Sequence, residues 1–196
     1  MTIPVKSHYF SESFSKWNIN GKNVVAQYSI LELEATRIFK VDSYQKIMYE
    51  NLVEIGGVPY TKKEREFAVQ IYKTLRSPDK EISSAAEVQP YKFTRGKGST
   101  DVGDVSWMVP TAGLRTATWV PGTSAHTWQA VAAGGMSIGV KGMMNAAKTI
   151  AGTAVDLFNN PEAVKNAQKE LIERRGPTFN YYSLLGDREP PLDYRK

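Results

Sequence analysis

The sequence contains no cysteine. This absence excludes disulfide bonds, thiolate zinc sites and a cysteine nucleophile. It also favours a reducing compartment, so we expect a cytoplasmic protein. Histidine is scarce as well, because only His8 and His126 are present. Any site that depends on an imidazole therefore has just two candidate residues.

Long apolar runs are missing too. The N-terminus from Met1 to Phe14 holds no apolar stretch of signal-peptide length, and the longest stretch without a charged residue, 116–140, is interrupted by Pro121 and several glycines. Signal peptides and membrane-spanning helices both need continuous apolar segments. The sequence therefore predicts neither secretion nor a membrane partner.

The chain also lacks a strong excess of charge of either sign. Lysine and arginine number 25 against 20 aspartates and glutamates, which gives a net charge of +5 without a basic tail. Nucleic-acid-binding proteins usually carry a concentrated basic surface, so we expect no nucleic-acid partner. The length of 196 residues and the hydrophobic content of 41% are those of a folded protein with one domain and part of a second.

Two segments predict β-strands. Asn20-Gly21 is a tight-turn signal, and residues 23–41 after it are rich in β-branched and aromatic side chains, which indicates a hairpin that ends in a long strand. Residues 101–155 include only five charged residues and should form the interior of the protein. Within them, residues 116–120 predict a buried strand.

Two helices are predicted in the first half of the chain. Apolar residues at helical spacing indicate a helix over 42–55, which the pair Gly56-Gly57 should end. Thr61 with Glu64 three residues later is a capping-box pattern that opens a second helix. We expect this second helix to end at Ser77-Pro78.

Two further helices are predicted in the second half. A long helix should begin at about Ser137, and Asn160-Pro161-Glu162 should open a final helix that ends with Arg174, Arg175 and Gly176. For the final helix, the expected core stripe is Val164, Ala167, Leu171 and Ile172. For the long helix, the expected core stripe is Val140, Met143, Met144, Ala147, Ile150, Ala151, Ala154, Val155 and Phe158.

His126 is the stronger of the two histidine candidates. It follows the predicted strand, in the loop Pro121 to Trp128, where α/β proteins often present functional side chains. On these facts alone, a buried histidine bonded to a loop carbonyl is the simpler interpretation. His8 lies near the N-terminus and is interpreted as a solvated residue.

Asp101 and Asp104 form a second candidate site, three residues apart among small side chains. Two carboxylates at this spacing can bind a hard cation or orient a histidine, but capping of backbone N–H groups is the default interpretation. Residues 95–99 lack the spacing of a phosphate-binding loop. No Gly-x-Ser-x-Gly motif supports a serine triad.

Three runs of sequence resemble a known family: GSTDVGDVSW (98–107), TATWVPGTSAHTW (116–128) and GGMSIGVKGMMNAAKTIA (134–151). They are similar to the C-terminal half of metal-dependent amidohydrolases related to aminoacylases and carboxypeptidases, and most closely to the aminobenzoyl-glutamate utilization subgroup. Residues 42–75 also resemble that subgroup. Altogether the resemblance covers about residues 35–160.

The resemblance implies an α/β fold, in which a catalytic domain with a sheet flanked by helices carries a two-metal centre of zinc or manganese. A lid domain that forms a homodimer interrupts this catalytic domain. Residues 1–41 would be a remnant of the lid with its hairpin or edge strand, and 42–196 the second half of the catalytic domain. His126 matches the family's last metal-binding histidine, whereas relatives often have histidine where this chain has Val140.

The resemblance also indicates what this chain lacks. The family's first metal-binding motif and its glutamate pair belong to the N-terminal half, and one histidine cannot hold two metal ions. We therefore expect the full enzyme to cleave an N-acyl or aminobenzoyl amino-acid amide, and this chain alone to be inactive. The chain would be a portion of such an enzyme from a truncated gene, a split gene or an expressed fragment, and a split gene would encode the N-terminal half separately as a partner. The alternative is a non-catalytic α/β protein that self-associates through an edge strand at 23–41.

Overall fold

Helices dominate the residues that the computed structural model describes, which are 15–19, 22–26, 40–92, 100, 102–182 and 192. In chain order these helices are α1 (Asp42–Ile55), α2 (Lys62–Tyr72), a 3-10 helix (Ile82–Ala86), α3 (Val102–Met108), α4 (Trp128–Gly134), α5 (Ser137–Asn159) and α6 (Pro161–Arg175). No helix in this part of the chain is both long and apolar enough to cross a membrane.

The predicted hairpin is confirmed close to the N-terminus. Strands β1 (Ser15–Ile19) and β2 (Lys22–Ala26) pair antiparallel, with Ile19 opposite Lys22. Residues 27–39 of the predicted long strand lie outside the described residues. The boundary between a lid remnant at 1–41 and a catalytic portion at 42–196 therefore stays a prediction.

The predicted α/β fold, with a sheet flanked by helices, is wrong for the described residues. Apart from the hairpin, these residues form one isolated bridge between Lys40 and Thr111. Residues 116–120 are irregular rather than a strand. β-Branched residues favour a strand only where a neighbouring strand supplies hydrogen bonds, and here the Thr116 hydroxyl instead donates to the Gly142 carbonyl of α5 at 2.8 Å.

The predicted helix starts are confirmed, and so is the end of α1, but α2 ends at Tyr72 rather than at the predicted Ser77-Pro78. Gly56 ends α1 with a φ of 84°, a conformation that favours glycine. Thr61 and Glu64 form the predicted capping box at the start of α2. The Asn160 side chain accepts a hydrogen bond from the Ala163 backbone N–H at 3.1 Å and begins α6. Local patterns therefore determine where these elements start and stop.

The core consists of two clusters. In the larger one, Ala68 and Ile71 of α2 pack with Val120, Ala133 and Ile138. In the smaller one, Val41 packs with Ala167 and Leu171 of α6, while the predicted core residues Val164 and Ile172 of α6 are exposed. Helices α1, α4 and α6 all contact α5, which is therefore the central helix of the described residues.

The predicted core stripe of α5 is wrong. Its large apolar residues face solvent, and the buried side consists of Ile138, Gly139, Gly142, Asn145, Thr149 and Thr153. Small residues on this side let the backbone of another segment approach closely. At Gly142, for example, a Cβ would lie only 2.6 Å from the Ala117 carbonyl oxygen, too close for a side chain. Asn145 donates a hydrogen bond to the Gly56 carbonyl at 2.8 Å, so its buried amide is satisfied.

Candidate functional site

The backbone at His126 adopts an unusual conformation. Its φ is 61°, and among the described residues it is the only non-glycine residue with a positive φ. This left-handed region is sterically costly for a residue with a Cβ, and such conformations cluster at functional sites. The imidazole of His126 is exposed. The loop therefore presents this side chain to solvent in a constrained geometry.

The first turn of α4 fixes the C-terminal side of this loop. The Thr127 hydroxyl accepts a hydrogen bond from the Ala130 backbone N–H at 3.4 Å and donates to the Ser124 carbonyl at 2.8 Å. The same side chain thus caps the helix and closes the turn that contains His126. The position of the histidine backbone is set by the start of α4.

The end of α2 fixes the other side. Gly122 has a φ of 84°, and a Cβ there would lie 2.7 Å from the Cβ of Pro78. The Gln129 amide donates to the Thr74 carbonyl at 3.3 Å. Both contacts hold residues 121–129 against the segment that follows α2. The loop is therefore supported by elements on both sides, which suits a functional side chain.

The structure rejects the interpretation of His126 as a buried histidine bonded to a loop carbonyl. Its ring is exposed and has no hydrogen-bond or ion-pair partner among the described residues. No group of three or more histidine, aspartate and glutamate side chains lies close enough within those residues to hold a metal ion. The described residues alone therefore do not fit a metal centre.

Of the two aspartate candidates, the structure describes only Asp104. Asp101 lies outside the described residues. Asp104 lies in the first turn of α3, where its Oδ1 atom is buried and has no hydrogen-bond partner among the residues that the structure describes. Thr100 makes the hydrogen bond expected of a cap, since its hydroxyl accepts from the Val102 N–H at 3.3 Å. The proximity of this segment to His126 stays a prediction. Val140, at the position where relatives often have histidine, is an exposed residue of α5.

Sequence reasoning missed a buried network around Glu64. One carboxylate oxygen of Glu64 accepts a hydrogen bond from Ser137 Oγ, and the other accepts from Lys141 Nζ, both at 2.6 Å. The hydrogen bond from Lys141, followed by that from Ser137, lowers the pKa of Glu64 to about 2. Ser137 and Lys141 lie one turn apart on α5, but no sequence pattern pairs them with a residue on α2.

Tyr60 lies beside this network and contacts the segment that leads to the His126 loop. Its hydroxyl donates to the Trp119 carbonyl at 3.5 Å. Burial, together with the negative charge of Glu64, raises the pKa of Tyr60 to about 12. At neutral pH Glu64 therefore stays ionised and Tyr60 stays protonated, so neither is matched to proton transfer. The network joins α2, α5 and the segment before His126 as structural support.

A comparison with curated proteins finds a p-aminobenzoyl-glutamate hydrolase subunit of Escherichia coli (strain K12). The two sequences are 36% identical over an alignment of 151 residues, which covers 64% of this chain and 31% of the E. coli protein. The resemblance seen in the sequence is confirmed. No protein-family profile matches the chain, and no solved structure matches it.

The similarity to the E. coli hydrolase concerns only a portion of that protein. The chain spans 31% of the length of the E. coli hydrolase, so the larger part of that protein has no counterpart in the match. A site built by a protein of that length can draw residues from the part outside the match. An exposed His126 without other ligands nearby is therefore compatible with a site whose remaining residues lie outside the matched part.

Proposed function

We propose that this chain is one part of an amidohydrolase that cleaves an N-acyl or aminobenzoyl amino-acid amide bond, and that it contributes His126 to the catalytic site. The similarity to the E. coli hydrolase supports the reaction class. The exposed imidazole, held in a left-handed conformation on a loop supported from two sides, is the observation that carries the assignment.

Amide hydrolysis makes demands that one imidazole cannot meet. Water must be activated as a nucleophile, and the departing amine must receive a proton. His126 could supply at most one of these functions, or one ligand to a zinc or manganese centre whose other ligands come from outside this chain. We therefore propose that this chain alone is inactive and that another polypeptide completes the site.

The name of the E. coli relative describes it as a subunit, which supports the expectation of a partner chain. We propose that a separately encoded polypeptide supplies the missing residues and that the complex acts in the cytoplasm on a small N-acyl amino acid. A homodimer of this chain is a further proposal. The strand at 23–41, through which self-association was expected, extends beyond the described residues.

Complementation tests the proposed function. The full chain would be co-expressed with the E. coli hydrolase from which the matched segment has been deleted, and hydrolysis of p-aminobenzoyl-glutamate would be measured with added zinc or manganese. We expect turnover from the pair and none above buffer from this chain alone. His126→Ala should abolish the turnover of the pair, and His8→Ala, as the matched control, should leave it unchanged.

Two results would contradict the proposed function. Turnover by the purified chain alone that disappears in His126→Ala would show that a complete site already exists here. Full turnover of the pair with His126→Ala would remove this residue from the site. Calorimetric titration of the isolated chain with zinc is an independent check, since we expect no tight stoichiometric binding with a single imidazole.

A further inference from the structure

Helix α5 exposes a continuous apolar stripe along its solvent side. The stripe, called here the α5 apolar face, consists of Val140, Met143, Met144, Ile150, Val155 and Phe158. These side chains are between 47% and 87% exposed. At 3.6 residues per turn, they lie on one side of the helix, opposite the buried stripe that begins at Ile138. The more apolar side of the central helix therefore faces water.

Charged groups of α5 are directed away from this face. Lys141 bonds to Glu64 of α2, and Asp156 accepts a hydrogen bond from Asn51 of α1 at 2.5 Å. Lys148 borders the face. Side chains of this size, each exposed by about half or more of its surface, together present apolar surface on the order of the ~300–600 Å² that marks the largest patch of a typical monomer. Such a surface is typical of an interface.

The opposite side of α5 explains why the described residues leave the apolar side uncovered. Gly139 and Gly142 accept the backbones of α4 and of residues 117–118 at close range, and α1 and α6 pack along the same helix. Small and polar residues thus make the contacts within this chain. A helix that is packed on one side and apolar on the other is suited to a position between two layers of a larger protein.

We propose that the α5 apolar face is the docking surface for the polypeptide that carries the part of the hydrolase that this chain does not span. This inference rests on the proposed function. The match spans only 31% of the length of the E. coli hydrolase, so the unmatched part of that hydrolase is larger than this chain. A second copy would cover the face, but it would not supply the residues that complete the His126 site.

The chemistry of the face defines what the partner must present. An uncharged apolar surface is required opposite Val140 through Phe158, because a charge buried there would lose its hydration without gaining a counter-ion. An acidic group at the margin could reach Lys148, which borders the face. The partner is therefore a protein surface of aliphatic and aromatic side chains with a polar rim.

Co-purification tests this surface directly. The full tagged chain would be co-expressed with the E. coli hydrolase that lacks the matched segment, and the complex would be isolated by the tag and by size-exclusion chromatography. We expect a stoichiometric complex with the wild-type chain and at least tenfold less with Ile150→Glu. Asn166→Glu, which places the same charge on an exposed position of α6, is the matched control and should retain the complex.

A second measurement separates docking from folding. Since Ile150 is 51% exposed, Ile150→Glu should leave the melting temperature of the isolated chain unchanged. A large fall in that temperature would show that this chain covers the face itself, which would overturn the proposal. Loss of a wild-type homodimer in Ile150→Glu would identify a second copy as the occupant and would overturn it as well.

The remaining outcomes distinguish the two proposals from each other. A complex that forms and depends on Ile150 but hydrolyses nothing would support the docking surface and contradict the proposed function. A folded wild-type chain that captures no partner, or an Ile150→Glu chain that captures it equally well, would overturn the docking surface. If Ile150→Glu captures the partner equally well, turnover that depends on His126 could still be observed, so the proposed function would stand independently.

Discussion

Glu64 shows how one side chain can serve two elements. It closes the capping box of α2 with Thr61 and also accepts hydrogen bonds from Ser137 and Lys141 of α5. The side chain is 8% exposed. Hydrogen bonds to a charged, buried group contribute more to stability than neutral ones, and their removal leaves the partners unsatisfied. The link between α2 and α5 therefore depends strongly on this carboxylate.

Replacing Glu64 by glutamine should lower the free energy of unfolding by about 1–3 kcal/mol at pH 7, because an ionic hydrogen bond to Lys141 is lost. Urea unfolding would measure the difference. Glu66→Gln, on an exposed position of the same helix, is the matched control and should change the stability by less than about 0.5 kcal/mol. Equal effects of the two substitutions would show that the network contributes nothing.

The lowered pKa of Glu64 also predicts how stability depends on pH. The folded-state pKa is about 2, whereas the ordinary value is 4.5, so the folded state binds fewer protons between these values. The contribution of Glu64 is complete above about pH 5 and is lost as the pH falls toward 2. The unfolding free energy of Glu64→Gln should therefore fall less steeply over this interval than that of the wild type.

The left-handed conformation of His126 makes a separate prediction. Glycine adopts a positive φ without steric cost, whereas for a residue with a Cβ it costs ~1 kcal/mol or more. His126→Gly should therefore be about 1 kcal/mol more stable than His126→Ala in thermal unfolding. At Ser124, which has no positive φ, the glycine variant should be no more stable than the alanine variant. Equal stability of the two His126 variants would show that the backbone is unstrained.

The sequence predicts contacts between residues that are close along the chain better than contacts between residues that are far apart. The capping box at Thr61 and Glu64 depends on residues three apart, so its pattern is visible in the sequence. The bonds from Glu64 to Ser137 and Lys141 span 73 and 77 residues, and no spacing rule applies over that distance. No spacing pattern predicts the exposure of His126 either, because that exposure depends on which elements cover the loop.

At the scale of elements, α5 shows what an apolar stripe can and cannot indicate. The stripe correctly predicts a helix from Ser137, and it identifies the side of that helix that avoids water. It cannot indicate whether the cover comes from this chain or from another one. The glycines at 139 and 142 mark the side that packs within this chain, because only a residue without a Cβ permits such a close approach.

Gly142→Ala tests that close approach. The added Cβ would lie 2.6 Å from the Ala117 carbonyl oxygen, so residues 117–118 or α5 would have to move. We expect a loss of ~1–3 kcal/mol, despite the better helix propensity of alanine. Gly134→Ala is the control, since its Cβ would meet only Trp119 Nε1 at 3.7 Å. A melting temperature of Gly142→Ala as high as that of Gly134→Ala, with both above the wild type, would contradict the close approach of residues 117–118 to α5.

At the scale of the whole molecule, Glu170 joins α1 and α6, the first and last helices of the described residues. Its carboxylate accepts hydrogen bonds from the Asp42 N–H at 2.6 Å, the Ser43 N–H at 3.0 Å and Arg174 at 2.8 Å. Burial alone would raise its pKa, but the hydrogen bonds from Ser43, Asp42 and Arg174 together lower it to about 2. Helix α1 has no side-chain cap of its own, and Glu170 of α6 takes that role.

Glu170→Gln should lower the free energy of unfolding by about 1–3 kcal/mol at pH 7, since the N-terminus of α1 loses its anionic acceptor. Urea unfolding would measure this change. Glu173→Gln, which removes an exposed ion pair with Lys169 on the same helix, should cost less than about 1 kcal/mol. A loss for Glu173→Gln as large as that for Glu170→Gln would argue against the cap.

The fold class was the least predictable property of the whole molecule. A sheet was expected from family resemblance and from the β-branched residues at 116–120, but strand formation depends on a partner strand that no local pattern specifies. Among the described residues that segment lies on α5 instead, with Thr116 bonded to Gly142. The helices, whose hydrogen bonds are local, were predicted at the positions of α1, α2, α5 and α6.

The exposed side of α5 also makes this chain sensitive to oxidants. Met143 and Met144 are 55% and 47% exposed, whereas Met48 is 8% exposed in the core. Dilute hydrogen peroxide should therefore convert the first two to sulfoxides well before Met48, as mass spectrometry of tryptic peptides would record. A thioether that becomes a sulfoxide turns from apolar to polar. If the α5 apolar face is the proposed docking surface, isolated chain that has been stored in air should gradually lose its binding to the partner while its fold stays intact.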